Sequence, residues 1–508
     1  MKVFLMHRNA DFDLYQELPS NQQELTDDLQ LGKIFDAMAL GDAFLFDAAR
    51  AGILSALKNG PDTILYRQEI LQDCLRNTPI ILDMYHIALE SIESEKKNFW
   101  GIMSKHPSSI LTRSIQVVRM FVDMLRKLRR IADLNAGAFH SEGFTRFFGM
   151  LEEELSDEYF TEIEDHLREL KFGKGVLISA ELGKGNKGDN YRLHRVQDRN
   201  EKWTRRIFAR KAPAYSFSIS QRDDSGARAL VTLKDAGLNL SANALARSTD
   251  HILSFFTVLR TELAFYVGCL NLHRQLVETG GPVSFPIPAP IGERRHLFRD
   301  LYDAGFALTI RQRITGNEVD ADDKDLVIIT GANQGGKSTF LRSMGTAQLM
   351  MQSGMFVAAE SFCSNVCDGL FTHYRREEDA TMKSGKLDEE LARMSGIIDV
   401  ITPNSMVLLN ESFAATNDRE GSEIARQIVS ALVERRIKIL FVTHLYEFAR
   451  AFHDKKKGNV LFLRTERETD GRRTFRLIEG APSETSYGED LYRQVFGESP
   501  MPVNQGPS

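Results

Sequence analysis

The chain has few cysteines, no long apolar run and no internal repeat, and each shortage excludes a class of protein. Only four cysteines occur in 508 residues. Cys363 and Cys367 alone lie close together, and no histidine pair at ligand spacing follows them, which argues against a zinc site or a disulfide framework. No window reaches the roughly 18 consecutive apolar residues of a membrane span, and charges enter the N-terminal stretch Met1-Lys2-Val3-Phe4-Leu5-Met6-His7-Arg8 before a signal-peptide core could form. A cytoplasmic protein with no membrane association is therefore expected. No period of about 20–50 residues recurs, so a solenoid is not expected.

Apolar residues make up 42% of the chain and charged residues 26%, enough for sizeable buried cores and too ordered a balance for wholesale disorder. The length suggests two or three domains. The net charge is −6, but it is unevenly spread. Residues 171–211 hold twelve Lys and Arg against four acids, whereas Glu152 to Asp165 holds acids with no Lys or Arg. Net charge thus gives no argument against a polyanionic partner.

Residues 27–170 read as long amphipathic helices, with Leu31, Ile34, Phe35 and Met38 on one face and Ile115, Val118, Val122 and Leu125 on another. A further helix is predicted from Asp250 to Val277, where Ile252, Phe255, Phe256, Leu259, Leu263, Tyr266 and Leu270 keep three-four spacing. Between them, residues 171–247 read as a basic, partly β insert: Gly183 to Gly188 forms a loop by composition, and Tyr215 to Ile219 alternates with period two. Pro282, Pro286, Pro288 and Pro290 then mark a domain seam. The expected plan is a helical domain over 1–280 with the insert at 171–247, an α/β domain over 281–497, and a disordered tail over 498–508.

The α/β segment carries the chemistry. Leu326 to Thr330 reads as a buried parallel strand leading into Gly331-Ala332-Asn333-Gln334-Gly335-Gly336-Lys337-Ser338-Thr339, a P-loop with a strand before and a helix after. Glycines let backbone N–H groups converge on phosphate oxygens, and the following helix adds its positive end. Lys337 is expected to bridge terminal phosphates and Ser338 to ligate Mg²⁺, so ATP with Mg²⁺ is the expected ligand. Two further strands, Ser405 to Leu409 and Ile437 to Thr443, end in Asn410-Glu411 and in His444, at the strand ends where doubly wound sheets bind ligands. Glu411 reads as the base or water-orienting residue and His444 as a γ-phosphate sensor.

These motifs, in this order and with Ser384-Gly385-Lys386-Leu387-Asp388-Glu389-Glu390 between them, resemble the ATPase domain of the MutS family, a branch of the ABC-type ATPases. Supporting pieces are Ser353 to Ala359, Leu370-Phe371-Thr372, Thr443 to Phe448 and Ser486-Tyr487-Gly488. The resemblance implies an α plus α/β fold, an all-helical lever and core with a clamp-like basic insert, followed by an ABC-type P-loop ATPase. It implies a homodimer in which Ser384 and Gly385 approach the nucleotide of the partner subunit, with Ala414 to Gly421 at the crossing. It further implies a DNA partner, duplex or branched, and a role in mismatch repair or a related repair or recombination process alongside other repair proteins. Arg205, Arg206, Arg210 and Lys211 are the expected DNA contacts, and Arg313 or Ile314 with Phe475 the expected adenine sandwich. An RNA- or ribosome-directed ATPase, or one directed at another protein, are the alternatives.

The sequence departs from the family pattern in two places. Asn410 stands where most members carry Asp, which keeps an acceptor oxygen but removes a negative charge, so slow hydrolysis is expected. Helical core also begins by about residue 30, leaving no room before it for mismatch-reading and connector domains; Phe160-Thr161-Glu162 reads as a chance match to the mismatch wedge.

Overall fold

The computed structural model describes residues 1–99, 106–172, 175–194, 218–220, 222–332, 334–376, 385–455, 457–467 and 473–482. Its contacts divide the chain into two compact units. The first comprises residues 1–3, 79–139 and 144–260; the second comprises 4–78, 140–143 and 261–508. The division falls within a long helix and not at the prolines after residue 280, and residues 4–78 share the unit of the α/β segment.

The helices that precede the α/β segment are α1 (Gln22–Asp28), α2 (Gly32–Ala39), α3 (Ala43–Leu54), α4 (Pro61–Arg76), α5 (Thr78–Phe99), α6 (Pro107–Asn135), α7 (Glu142–Glu154), α8 (Asp157–Glu169) and α9 (Asp224–Glu278). In the first unit, α6 buries Ile115, Val118, Val122 and Leu125, the stripe read from the sequence. Phe121 of α6 meets Phe256 of α9 at 5.6 Å between ring centroids. Phe160 is buried on α8 beneath the Arg126 guanidinium, so it serves as core. A hairpin of β1 (Leu177–Leu182) and β2 (Gly188–His194) turns around Gly183 to Gly188, with Gly185 at φ +73°.

Two expectations for residues 171–247 need correction. Residues 224–247 are helical, so α9 begins some 26 residues before the expected Asp250. Ser218 and Ile219, expected to end a strand, lie in no strand, and Tyr215 to Phe217 lie outside the described residues. The early turns of α9 expose Leu230, Leu233 and Leu240, so their sequence lacks the one-sided apolar stripe that signals a helix.

The second unit contains the strands β3 (Ile287–Ala289), β4 (His296–Leu301), β5 (Asn317–Asp320), β6 (Leu326–Thr330), β7 (Ser361–Asn365), β8 (Leu370–Tyr374), β9 (Met406–Asn410), β10 (Lys438–Val442), β11 (Val460–Arg467) and β12 (Arg473–Glu479). Its helices are α10 (Ala304–Ile310), α11 (Lys337–Gln352), α12 (Lys386–Val400), α13 (Asp418–Glu434) and α14 (Tyr446–Asp454). One sheet runs in the order β12-β11-β6-β10-β9-β8, parallel except for β12; a second runs β3-β7-β4-β5. Continuous apolar strands such as Leu326 to Ile329 are buried on both faces. Leu326, Ile328, Leu409, Ile439 and Phe441 pack with Val429 of α13 and Phe448 of α14. On the opposite face, α11 passes so close that a Cβ on Gly345 would lie 2.7 Å from Leu408. A helix-rich chain with mixed sheets agrees with the expected α plus α/β class.

The N-terminal segment of this unit is held by one buried carboxylate. Glu262 accepts N–H bonds from Leu5, Met6 and Phe12, the last at 2.8 Å, while the Tyr266 hydroxyl donates to the Leu5 carbonyl at 2.6 Å. Arg67, fully buried, donates from Nε to the Met6 carbonyl at 2.8 Å. Burial raises the Glu262 carboxyl to about 7, against the pull of its three N–H donors.

Replacing Glu262 by Ala leaves those N–H groups buried without their acceptor, at an expected cost of about 3 kcal/mol or more in urea unfolding. Because the folded pKa is raised, wild-type stability from this group is largest below the ordinary carboxylate range and falls as pH rises toward about 7. The gap between wild type and Glu262→Ala should therefore be wider at about pH 5 than at about pH 8. An equal gap at both values would show that the carboxyl does not titrate in this range.

Candidate functional site

The glycine-rich loop from Gly331 follows β6 directly, and its backbone is set by close packing. Gly331 has φ +121° and Gly336 φ +88°, conformations that L side chains rarely adopt. A Cβ on Gly331 would meet Thr465 Oγ1 at 2.2 Å, and one on Gly335 would meet Thr465 Cγ2 at 2.6 Å. Thr465, on β11, also accepts the Ala332 N–H at 3.2 Å. One threonine thus buttresses the loop sterically and by hydrogen bond.

Lys337 is the first residue of α11, with Gly336 as its N-cap. Its ammonium donates to the carbonyls of Gly331 and Ala332, each at 2.9 Å, and is nearly buried. Burial lowers its pKa to about 8, with the Glu411 charge opposing. An ammonium held at a helix N-terminus, on carbonyls that a competing anion could replace, is a suitable phosphate ligand.

The sheet register brings the remaining residues to the same edge. Asn410 pairs with Val442 on one side and with Tyr374 on the other, so the carboxyl ends of β8, β9 and β10 are level. Ser338 donates from Oγ to Asn410 Oδ1 at 3.0 Å. This pair of adjacent neutral oxygens suits a hard, oxygen-seeking cation that keeps part of its water shell, so Mg²⁺ fits the donors present. Glu411 has φ +54° and donates its N–H to the Val442 carbonyl at 2.8 Å. Its carboxylate faces His444, with Nε2 to Oε1 at 2.9 Å, and Arg375 lies 3.9 Å from the other oxygen. The His444 hydrogen bond is the largest of the influences that hold the Glu411 carboxyl below its usual range, and Lys337 and Arg375 add to it.

A cleft of about 540 Å³ opens over the loop. Gln334, Gly335, Gly336, Lys337, Ser338, Thr339 and Glu411 line it, as do Arg313, Ile314 and Phe475, the residues expected to sandwich adenine. Gly331, Ala332, Asn410 and His444 join the group through the bonds already given. Gly385 is the N-cap of α12 and does not line this cleft. Asn333, Ser384, Arg205, Arg206, Arg210, Lys211, the segment Ser486 to Gly488 and the expected tail lie outside the described residues. Sequence reading missed Thr465, Arg375 and two further residues that line the cleft, Tyr302 and Phe306. Thr465 had a signal, since Val460 to Thr465 is a β-type run, but nothing local tied it to a loop more than 130 residues earlier.

Comparison with known proteins finds two family matches. Residues 59–279 match the MutS2 N-terminal domain, and residues 327–499 match MutS domain V. A DNA mismatch repair protein MutS from Petrotoga mobilis is 32% identical over 174 residues, which cover 34% of this chain and 21% of that protein. One from Thermus aquaticus is 33% identical over 167 residues, 33% of this chain and 20% of the relative. One from Methanococcoides burtonii is 25% identical over 250 residues, 48% and 28% respectively. The chain therefore spans between a fifth and three tenths of the length of these relatives.

Gly335→Ala should destabilise the protein through its contact with Thr465 Cγ2. Thr465→Ser removes that methyl and keeps the hydroxyl acceptor, so the double variant should recover part of the loss. A double-mutant cycle on unfolding free energies is expected to give a favourable coupling of about 0.5 kcal/mol or more. Strict additivity would mean that the loop relaxes away from β11.

Proposed function

Because the chain belongs to the MutS family, we propose that it is a slow Mg²⁺-dependent ATPase that binds DNA as a homodimeric clamp in mismatch repair or a related repair or recombination process. The observation that supports the reading is the cleft that Lys337, Ser338 and Glu411 line together with Arg313, Ile314 and Phe475, the residues expected to hold a base. Each of these side chains has a distinct task in phosphoryl transfer to water.

The loop N–H groups and Lys337 bind and orient the phosphates, and the buried ammonium offsets charge that develops toward the leaving group. Ser338 and Asn410 would hold Mg²⁺, which when bound neutralises phosphate charge. Glu411, kept ionised by His444, orients the attacking water and accepts its proton. His444 fixes the carboxylate and stands ready to bond the terminal phosphate. Asn410 supplies oxygen without charge, which weakens the grip on the cation and slows turnover.

ATP held between Gly335 to Thr339 of one subunit and Ser384-Gly385 of its partner would close the dimer, and hydrolysis would reopen it. The basic stretch containing Arg205, Arg206, Arg210 and Lys211 would contact backbone phosphates, and other repair proteins would act downstream.

Purified protein with Mg²⁺ and ATP should turn over above a Lys337→Ala control, and Asn410→Asp should lower the Mg²⁺ concentration needed for half-maximal rate. Wild-type turnover equal to the control would remove the ATPase reading. In a binding panel of homoduplex, mismatched duplex, four-way junction and structured RNA, DNA affinity should fall about 10³-fold between about 50 and 200 mM salt. Changing Arg205, Arg206, Arg210 and Lys211 to Glu should weaken that binding without altering basal turnover. Preference for RNA would replace the clamp reading with an RNA-directed one, and indifference to the whole panel would favour a protein partner.

A further inference from the structure

Behind Glu411 lies a buried polar network that the proposed reaction does not use. His373, on β8, is fully buried. Its Nε2 lies 3.0 Å from the carbonyl oxygen of Glu390 on α12, and its Nδ1 lies 2.7 Å from Ser412 Oγ. Ser412 Oγ is in turn 2.7 Å from the His373 carbonyl oxygen. The imidazole stacks on Phe413 at 5.6 Å between centroids with 20° between planes. Burial raises the pKa of the Glu390 carboxyl on α12, and the Phe413 backbone N–H opposes that shift.

This network grips a strained segment. Glu411 and Phe413 have φ +54° and +65°, and Ser412 sits between them. Non-glycine residues persist in that region only where their surroundings over-determine them. What holds Ser412 and Phe413 therefore helps to hold the Glu411 carboxylate.

Counting protons sharpens the point. Three contacts converge here, namely His373 with Glu390, His373 with Ser412, and Ser412 with the His373 carbonyl. A neutral imidazole and one hydroxyl supply two protons. Either Nε2–H donates to Glu390 while the Ser412 hydroxyl donates to Nδ1 or to the His373 carbonyl, or Nδ1–H donates to Ser412 while the hydroxyl donates to the His373 carbonyl. The first arrangement fastens α12 to the Glu411 loop; the second releases it.

We propose that His373 is a positioning residue that ties α12 to the Glu411-Ser412-Phe413 loop through Nε2, so that the seating of α12 sets the alignment of Glu411. The inference rests on the ATPase reading above. It extends that reading, because α12 begins at Lys386, next to Gly385, and any ligand bound at the head of α12 would act on Glu411 through this bond. His373 itself touches no reacting atom.

The test compares His373→Gln, His373→Asn and His373→Ala for kcat and KM of ATP hydrolysis, affinity for a fluorescent ADP analogue, and melting temperature. The Gln amide nitrogen reaches the position of Nε2 and can keep the bond to Glu390; the Asn side chain reaches only the position of Nδ1. Gln is expected to retain kcat within about 3-fold, whereas Asn and Ala lose about tenfold or more, with KM and analogue affinity within about 2-fold of wild type throughout. Wild-type kcat in all three variants, or retention by Asn with loss by Gln, would overturn the assignment. So would a parallel loss of kcat, affinity and melting temperature, which is the mark of a general structural role. Wild-type turnover no higher than that of Lys337→Ala would instead sink the ATPase reading and this inference with it.

Discussion

The site depends on the parallel ladder that joins β6, β10 and β9. Backbone bonds continue past the ends of these strands: Thr443 donates to the Ile329 carbonyl at 3.0 Å and Glu411 to Val442 at 2.8 Å. A register slip by one residue in β9 would turn Asn410 and Glu411 to opposite faces and separate Ser338 from its partner. Apolar side chains on both faces of the sheet prevent that slip, because any shift would exchange two packed layers. The geometry of the candidate site is in this sense a by-product of hydrophobic burial several residues away.

Thr465 imposes a second constraint on the same loop. Where β11 runs beside β6, Thr465 is close enough to support the loop. Glycine is required at 331 and 335 because that support is close. Loop and buttress are therefore one packing unit, although they are distant in sequence.

What could be read from the sequence follows the range of the forces involved. Leu326 to Thr330 and Ile437 to Thr443 were legible because strands buried on both faces are continuously apolar, and the P-loop because its glycines are dictated locally. Lys337, Ser338, Glu411, Arg313, Ile314 and Phe475, all named from the sequence, line one cleft. Residues 224–247 were misread because a helix with exposed leucines shows no single apolar face. Thr465 and His373 were illegible for a different reason: each acts on a segment tens or hundreds of residues away, and an isolated threonine or histidine carries no record of its neighbours. Asn410 was the converse, a substitution visible in the sequence whose companion, the Ser338 hydroxyl at 3.0 Å, only the fold supplies.

The carboxylate of Glu262 also bears on the order in which the chain can fold. Its acceptors serve N–H groups about 250 residues earlier, at Leu5, Met6 and Phe12. During synthesis these residues emerge about 250 residues before their partner and must wait for it. Contacts of such long sequence separation form late, since closing so large a loop carries an entropic cost that only prior structure can reduce. Docking of residues 4–12 thus waits on the helix that carries Glu262, and until then Leu5, Met6 and Phe12 lack the buried place they hold in the fold.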